Sequence, residues 1–398
     1  MHNSEPGVQA VSRKQRPEVA EVFRRYLDRY RTAHGLSAEQ HKVARHIQQC
    51  RTAALGGHVE VCDSCAHTRI AYNSCRDRHC PKCQTMVKEQ WLAARQAELL
   101  PCGYFHLVFT LPHVLNLLVL HNRKLCLGLI FSSANQTLQC FAADPRWRLT
   151  GQLGFIGVLH TWSQTLIDHF HLHCLIPAGA LSRDHRWIHA RKNYLFRLES
   201  LAACFRNRYL AQLLVLFDKG ELVLPPEWDP EQFKALLVGA GKRRWIAYAK
   251  RPFAGPEQVL GYLARYTHRV AIANHRLRSI DDGKVSFVYK DRKNGNAKRT
   301  MIIDAEEFIR RFLLHVLPSG FTKIRYFGFL AHNRKKLAIA QIRRIIDPLL
   351  EPLGVKKETA RETMLRVTGI DIALCPQCGK GRIVVQARIP AVLYRDTS

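Results

Sequence analysis

The chain has 398 residues, enough for two or three domains with ordinary cores. Hydrophobic residues make up 47% of it, which excludes a largely disordered protein. Lys and Arg number 61 against 32 Asp and Glu, so the net charge is +29. A charge of that size, spread along the chain, predicts a polyanionic partner, and it favours nucleic acid over a membrane surface.

The hydropathy and the cysteine count indicate the cellular compartment of the protein. No signal peptide is recognised, and the longest apolar run, around residues 115–120, is far too short to cross a membrane. We therefore expect a cytoplasmic protein. Its 13 cysteines are then expected to be reduced thiols or metal ligands rather than disulfides.

Two helices are predicted at the start of the chain. Apolar residues recur with helical spacing from Val19 to Tyr30, and Gly35 ends that helix. Ser37 and Gln40 have the spacing of a capping box for a second helix, which runs to about Cys50. A plain helical pair is the simplest interpretation, and a helix-turn-helix that contacts DNA is the alternative.

A zinc-binding motif follows the helices. The pairs Cys62/Cys65 and Cys80/Cys83 are two CxxC knuckles separated by fourteen residues. This spacing is typical of a tetrahedral zinc site, and the segment is too short to fold on an apolar core alone. Because all four positions are filled by protein, the predicted zinc is structural. Cys75 and His79 lie between the knuckles and are the alternative ligands.

Several elements are predicted before the central motif. Their expected bounds are a helix over 84–100, a strand over 104–111, mostly helix over 114–142 and an apolar strand over 154–160.

The stretch HFHLHCLIP, residues 169–177, predicts a strand with His169, His171 and His173 on one face. Neighbouring imidazoles in such a row can hold one cation, but the outer two start about 13 Å apart. Two of them with a ligand from elsewhere therefore make a sensible site. If the strand over 154–160 pairs with this one as a hairpin, His160 lies beside His171 and is the third ligand. His169 is the alternative third ligand if its strand bends. A solvated strand face is the competing interpretation.

The next motif is AGPEQVLGYLARYTHRVAIAN, in which Pro256 suits the first turn of a helix. Tyr262 and Tyr266 fall within about 40° of each other around that helix. A packed aromatic pair is the alternative to a chemical role.

Further predicted elements are helices over 197–217, 229–238, 304–315 and 334–346, a strand over 245–250, a hairpin over 277–303 that turns at Asn294-Gly295, and an edge strand over 322–327.

Cys375 and Cys378 form half a zinc knuckle without a second half near by in the sequence. They either borrow ligands in space or form a turn.

These features share one chemical interpretation. Tyrosine can act as a covalent nucleophile toward a phosphodiester, but its phenol is weak at its ordinary pKa of about 10. A divalent cation held by His171 and His173 would make the phosphate more electrophilic. The products would be a 5′-phosphotyrosine link and a free 3′ hydroxyl, so the strand can be rejoined without ATP.

At these residues the chain resembles the two-tyrosine HUH rolling-circle transposases of bacterial insertion sequences (the IS-ninety-one-like group, with its zinc-binding N-terminal domain). The matching stretches are ALGGHVEVCDSC, YNSCRDRHCPKCQ, LHTWSQTLIDHFHLHCLIPAG, YLARYTHRVAIAN, RYFGFL and CPQCGKG. One departure is Phe170, which stands where such elements often have Pro between the first two histidines.

The resemblance implies an α+β fold, with a five-stranded antiparallel HUH sheet flanked by helices and preceded by a helical, zinc-ribbon-like domain. It implies cleavage of single-stranded DNA with Mg²⁺ or Mn²⁺, with His171 and His173 as metal ligands and Tyr262 and Tyr266 as nucleophiles. Relaxases of the wider superfamily take a third histidine from an upstream position similar to that of His160. We expect a zinc-binding domain over 12–100, a catalytic domain over 101–330 and a basic C-terminal region over 331–398.

Two other functions remain open at this point. A plasmid relaxase or replication initiator would use the same chemistry, although the zinc module and RYFGFL argue against it. A non-enzymatic zinc-finger DNA-binding protein is the second, and the intact histidines and tyrosines argue against that.

Overall fold

The structure is a computed structural model that describes residues 16–96, 98–191, 195–253, 258–259, 261, 271–291, 294–349 and 358–392. Within these ranges no helix is long and apolar enough to span a membrane.

The N-terminal part contains the predicted helical pair, α1 (Val19–Ala33) and α2 (Ala38–Gln49). The capping box is present, because the Ser37 side chain accepts from the Gln40 amide and the Gln40 side chain accepts from the Ser37 amide. A hairpin of β1 (Gly57–Cys62) and β2 (Thr68–Tyr72) follows, and then α3 (Gln84–Gln96).

The central part of the chain alternates strands and helices. Its elements are β3 (Tyr104–Thr110), α4 (Asn116–His121), α5 (Arg123–Ala143), β4 (Phe155–Trp162), β5 (Asp168–Pro177), β6 (Gly179–Leu181), β7 (Trp187–His189), α6 (Leu198–Asp218), α7 (Pro230–Lys242) and β8 (Ile246–Phe253).

The last part begins with three strands, β9 (Leu277–Asp281), β10 (Lys284–Asp291) and β11 (Ala297–Asp304). In the hairpin predicted over 277–303, the first strand is broken at Asp282 and Gly283, whose φ angles of 48° and 68° turn the chain. The remaining elements are α8 (Ala305–Leu313), β12 (Ile324–Phe327), α9 (Lys335–Ile346), α10 (Ala360–Thr368) and β13 (Ile383–Ile389).

The main sheet has five strands in the order β12-β4-β5-β3-β8, and every neighbouring pair is antiparallel. The predicted α+β fold with an antiparallel sheet is therefore confirmed, and β12 is an edge strand as predicted.

The two faces of the main sheet differ in character. On one face alternate residues of β3, β4 and β5 are fully buried against α5 and α6, among them Phe109, Phe155 and Phe170. On the other face lie His106, His160, His171 and His173, with Val158 directly opposite His173. We call this second side the histidine face.

A separate core joins the start of the chain to its later part. Residues of α1 and α2 pack with β9, β10 and α8, and the Phe23 and Phe312 rings meet edge to face at 5.3 Å. The segment from β9 to α8, which is predicted to belong to the catalytic domain over 101–330, thus shares its core with the N-terminal helices.

The two ends of the described chain also meet in a small sheet. Strand β1 lies between β2 and β13, so residues near 60 pair with residues near 385. We call residues 56–72 and 371–392 the terminal ribbon.

Candidate functional site

The histidine face brings three imidazoles together at the β4–β5 hairpin. His160 is paired directly opposite His171, which is the register that the hairpin prediction requires, and His173 lies two residues further along β5. The ligand nitrogens of all three lie within 4.8 Å of one another, and the side chains are 4–7% exposed. Three imidazoles at this separation can hold one divalent cation.

Hydrogen bonds set the orientation of two of these rings. Nδ1 of His171 lies 2.8 Å from the carbonyl oxygen of His169, so Nδ1 must donate and Nε2 keeps its lone pair. Nδ1 of His173 lies 2.9 Å from Nε2 of His106, and the two rings are stacked at 5.2 Å. When His173 donates to His106, its own Nε2 is likewise left to bind a metal.

His169 does not belong to this group. It is half-buried, and its ring stacks on His113 at a centroid distance of 5.5 Å. The structure thus brings His160 rather than His169 together with His171 and His173.

The connection between β4 and β5 is anchored by side chains from the neighbouring core. The Gln164 carbonyl accepts from Arg276, and the Thr165 carbonyl accepts from Arg311 at 3.0 Å. Nε2 of His315 donates to the Leu166 carbonyl at 3.0 Å. These contacts tie the hairpin that positions His160 and His171 to α8 and its surroundings.

The alternation of apolar residues along β3 is a sequence signal for the position of His106. In YFHLVFTL its neighbours Phe105 and Leu107 belong to the buried apolar face, so alternation along β3 places His106 on the histidine face. Only the pairing of β3 with β5 brings it near His173.

Tyr262 and Tyr266 lie outside the described residues. Val259, three residues before Tyr262, is fully buried in a cluster that contains Ile156 and Val158. Those two residues alternate with the inward side chains of β4 and lie on the histidine face with His160. Val259 therefore lies on the same side of the main sheet as the histidines.

The cysteines form two groups rather than one. The Cys50 cluster consists of Cys50, Cys75, Cys80 and Cys83, and the Cys62 cluster consists of Cys62, Cys65, Cys375 and Cys378. This corrects the expectation that Cys62, Cys65, Cys80 and Cys83 share one site.

The hairpin explains the division. Its turn carries Cys62 and Cys65, whereas Cys80 and Cys83 follow its open end, where Gly57 pairs with Tyr72. The five paired residues between Gly57 and Val61 separate the two ends by about 13 Å, too far for shared ligation.

Both clusters have the geometry that zinc requires. Four sulfurs at about 2.3 Å from a central ion, arranged tetrahedrally, lie about 3.8 Å apart. The sulfur–sulfur distances are 3.5 Å for Cys50–Cys83, 3.6 Å for Cys75–Cys83, 3.8 Å for Cys62–Cys378 and 3.7 Å for Cys65–Cys375. These distances exceed a disulfide bond, and all these cysteines are free thiols.

Local hydrogen bonds act in opposite directions on the thiols of both clusters. They raise the pKa of Cys65, Cys75 and Cys80, whereas the pKa of Cys50, Cys83 and Cys378 is lowered. The hydrogen bond to Cys75 is the largest of the effects that lower the pKa of Cys50 to about 7. Backbone amides of Gly381 and Lys380 lower the pKa of Cys378 to about 6. Thiolate is the form that binds metal.

Cys75, one of the two alternative ligands, joins the Cys50 cluster, whereas His79 does not. Nδ1 of His79 contacts Asp77 at 3.1 Å, and Nε2 accepts from the Leu317 amide at 3.2 Å. His79 therefore links the zinc motif to the segment after α8. Cys50 is the ligand candidate that sequence spacing missed, because it ends a helix twelve residues before Cys62.

Comparisons with known proteins identify the family. Residues 154–337 match the family model described as putative transposase, and residues 22–111 match the transposase zinc-binding domain, Zn_Tnp_IS91. A protein of Sinorhizobium fredii (strain NBRC 101917 / NGR234) named putative transposase y4qJ is 46% identical over 377 residues, which cover 92% of this chain and 94% of that protein.

A second relative, from Pseudomonas savastanoi pv. phaseolicola, is named transposase for insertion sequence element IS801. It is 30% identical over 295 residues, 71% of this chain and 68% of that protein. The two family models and the relatives together show that the chain belongs to the IS91/IS801 family of insertion-sequence transposases.

Proposed function

We propose that this transposase is an HUH-type single-strand DNA endonuclease and strand transferase that acts in rolling-circle transposition. The observation that carries the proposal is the group of His160, His171 and His173 on one face of an antiparallel sheet. The net charge of +29 supports a DNA substrate.

We propose that the three histidines hold Mn²⁺ or Mg²⁺. Nitrogen ligands favour Mn²⁺ of the two, because Mg²⁺ prefers oxygen. When bound, the cation polarises the scissile phosphate and stabilises negative charge on the leaving 3′ oxygen. The histidines themselves are oriented before DNA arrives, by the His169 carbonyl and by His106.

Tyr262 and Tyr266 are the proposed nucleophiles. The phenol oxygen of one tyrosine loses its proton and forms a bond to phosphorus, and the bond from phosphorus to the 3′ oxygen breaks. The 5′ end stays on the tyrosine as a phosphodiester, and the strand leaves with a 3′ hydroxyl. A second tyrosine allows the protein to hold the first 5′ end while it cuts the next strand.

We further propose that the Cys50 cluster binds the structural zinc of the zinc-binding domain. Three of its cysteines are buried, and Arg78 beside it donates to the Phe321 and Pro318 carbonyls at 2.5 and 3.1 Å. This zinc would fix the domain against the segment after α8, so that both act on one DNA strand.

The test is covalent capture of DNA. Wild-type protein, Tyr262→Phe, Tyr266→Phe and the double variant are incubated with Mn²⁺ and single-stranded oligonucleotides that carry the element ends. We expect protein–DNA adducts on a denaturing gel for the wild type and none for the double variant, with DNA binding retained in all four.

Tyr289→Phe in β10 is the matched control, because it removes the same hydroxyl from a strand outside the main sheet and should leave adducts unchanged. Adducts that persist in the double variant would show that another residue is the nucleophile. A wild-type protein that binds the ends but never forms adducts would instead be a non-enzymatic DNA-binding protein.

A further inference from the structure

The terminal ribbon has almost no apolar interior. In residues 56–72 and 371–392 the buried residues are three glycines and two cysteines: Gly56, Gly57, Gly381, Cys62 and Cys375. Large apolar side chains point into solvent instead, such as Ile70, Val384 and Val385 at 50–58% exposure. Hydrophobic burial therefore cannot account for the stability of this three-stranded sheet.

The two halves of the ribbon nevertheless approach each other very closely. A side chain on Gly381 would collide with Cys62, Ser64 and Asp63 of the N-terminal half. The Arg382 amide donates to the Asp63 carboxylate at 2.7 Å, and the Asp63 amide donates to the Arg382 carbonyl at 3.0 Å. The turn that carries Cys62 and Cys65 is thus held directly against the turn that carries Cys375 and Cys378.

The backbone around both turns is arranged as in a metal knuckle. The Ser64 amide points at the Cys62 sulfur at 3.4 Å, and the Gly381 amide points at the Cys378 sulfur at 3.3 Å. A backbone amide that donates to a sulfur stabilises the thiolate form of that cysteine. Such amides are expected around metal-bound thiolates rather than around neutral thiols.

We propose that Cys62, Cys65, Cys375 and Cys378 bind a second Zn²⁺ that fastens the C-terminal segment to the N-terminal hairpin. The matched zinc-binding domain ends at residue 111, so half of this site comes from outside it. Ligand type and the tetrahedral sulfur distances select zinc, and four protein ligands leave no position for substrate. The ion is structural, and its binding supplies folding free energy that the ribbon core lacks.

Zinc content of the full chain tests this proposal, and it does not depend on the tyrosine chemistry. We expect two zinc ions per wild-type chain by elemental analysis and one in the variant that combines Cys375→Ser and Cys378→Ser. Cys140→Ser is the matched control, because Cys140 is exposed and belongs to neither cluster. It should retain both ions.

The rate of zinc release distinguishes the two sites even if a variant folds poorly. Cys65 is exposed and Cys378 is half-buried, whereas three of the four cysteines in the Cys50 cluster are buried. Wild-type protein treated with EDTA should therefore release zinc in a fast and a slow phase, and Cys65→Ser should lack the fast phase. One zinc per wild-type chain, or two in the double variant, would overturn the proposal.

Discussion

His106 shows how a residue outside the ligand set can control it. Its Nε2 lies 2.9 Å from Nδ1 of His173, and its ring is 3% exposed, so it restrains the orientation of a proposed metal ligand. Loss of such a partner typically lowers metal affinity 10- to 100-fold.

We expect His106→Ala to weaken Mn²⁺ binding by about tenfold or more, as measured by calorimetry. His106→Gln should recover part of the affinity, because its amide oxygen can accept from His173. The melting temperature of each variant controls for the buried space that Ala leaves. An affinity equal to that of the wild type in the Ala variant would show that His106 has no positioning role.

His315 is a second residue whose environment has a measurable consequence. It is completely buried, and burial lowers its pKa to about 3, with the charge on Arg123 and the His79 ring acting in the same direction. The ordinary pKa of histidine is about 6.5, so between pH 6.5 and 3 the unfolded chain binds a proton that the folded chain does not. The contribution of His315 to the free energy of unfolding is therefore complete above pH 6.5, and it is lost as the pH falls toward 3.

We therefore expect the stability advantage of the wild type over His315→Gln to shrink by about 1.4 kcal/mol per pH unit below pH 6. Gln keeps a donor for the Leu166 carbonyl but does not titrate. Thermal unfolding of both proteins at matched zinc content, from pH 7.5 to 5, measures the difference. Parallel pH curves for the two proteins would contradict the assignment.

At the scale of elements, the β4–β5 hairpin decides which third histidine is available. Antiparallel pairing places His160 opposite His171, whereas the ring of His169 stacks on His113 near the start of β5. The carbonyls of the connecting loop are bound by Arg276, Arg311 and His315, so its geometry is determined by a different core.

We expect His160→Ala to abolish tight Mn²⁺ binding and DNA cleavage, because it removes one of three proposed ligands. His169→Ala is the matched comparison. Its ring packs on His171 at a centroid distance of 4.7 Å but its nitrogens lie outside the ligand group, and Ala keeps the carbonyl that accepts from His171, so metal affinity should stay within a few-fold of the wild type. Metal affinity and cleavage of the end oligonucleotide are measured side by side. The opposite pattern would make His169 the third ligand.

At the scale of the whole molecule, distant parts of the chain complete each other. The N-terminal helices share a core with β9, β10 and α8, and the first hairpin shares a sheet and a cysteine cluster with the last strand. Arg366 of α10 also pairs with Glu89 of α3 at 3.2 Å, although Arg366 is exposed and such a pair contributes little alone. The N-terminal part is therefore connected to the later parts of the described chain at several points.

Local patterns in the sequence were sufficient to predict much of this protein. Alternation along HFHLHCLIP and YFHLVFTL predicted strands with one apolar face, and helical periodicity with Ser37 and Gln40 predicted α1 and α2. The CxxC pairs predicted zinc-binding chemistry, and the match to a transposase zinc-binding domain supports it. Each of these signals depends on residues within about ten positions of one another, where backbone geometry alone determines which side chains share a face.

The tertiary structure alone decided which of these residues meet. Cys62 and Cys65 are joined by Cys375 and Cys378, and Cys80 and Cys83 by Cys50 and Cys75, because a hairpin of about 13 Å separates the two knuckles. His106 reaches His173 only through the pairing of β3 with β5. Spacing along the chain carries no information about such contacts, since strand order and the return of the C-terminal segment are set by packing of the whole molecule.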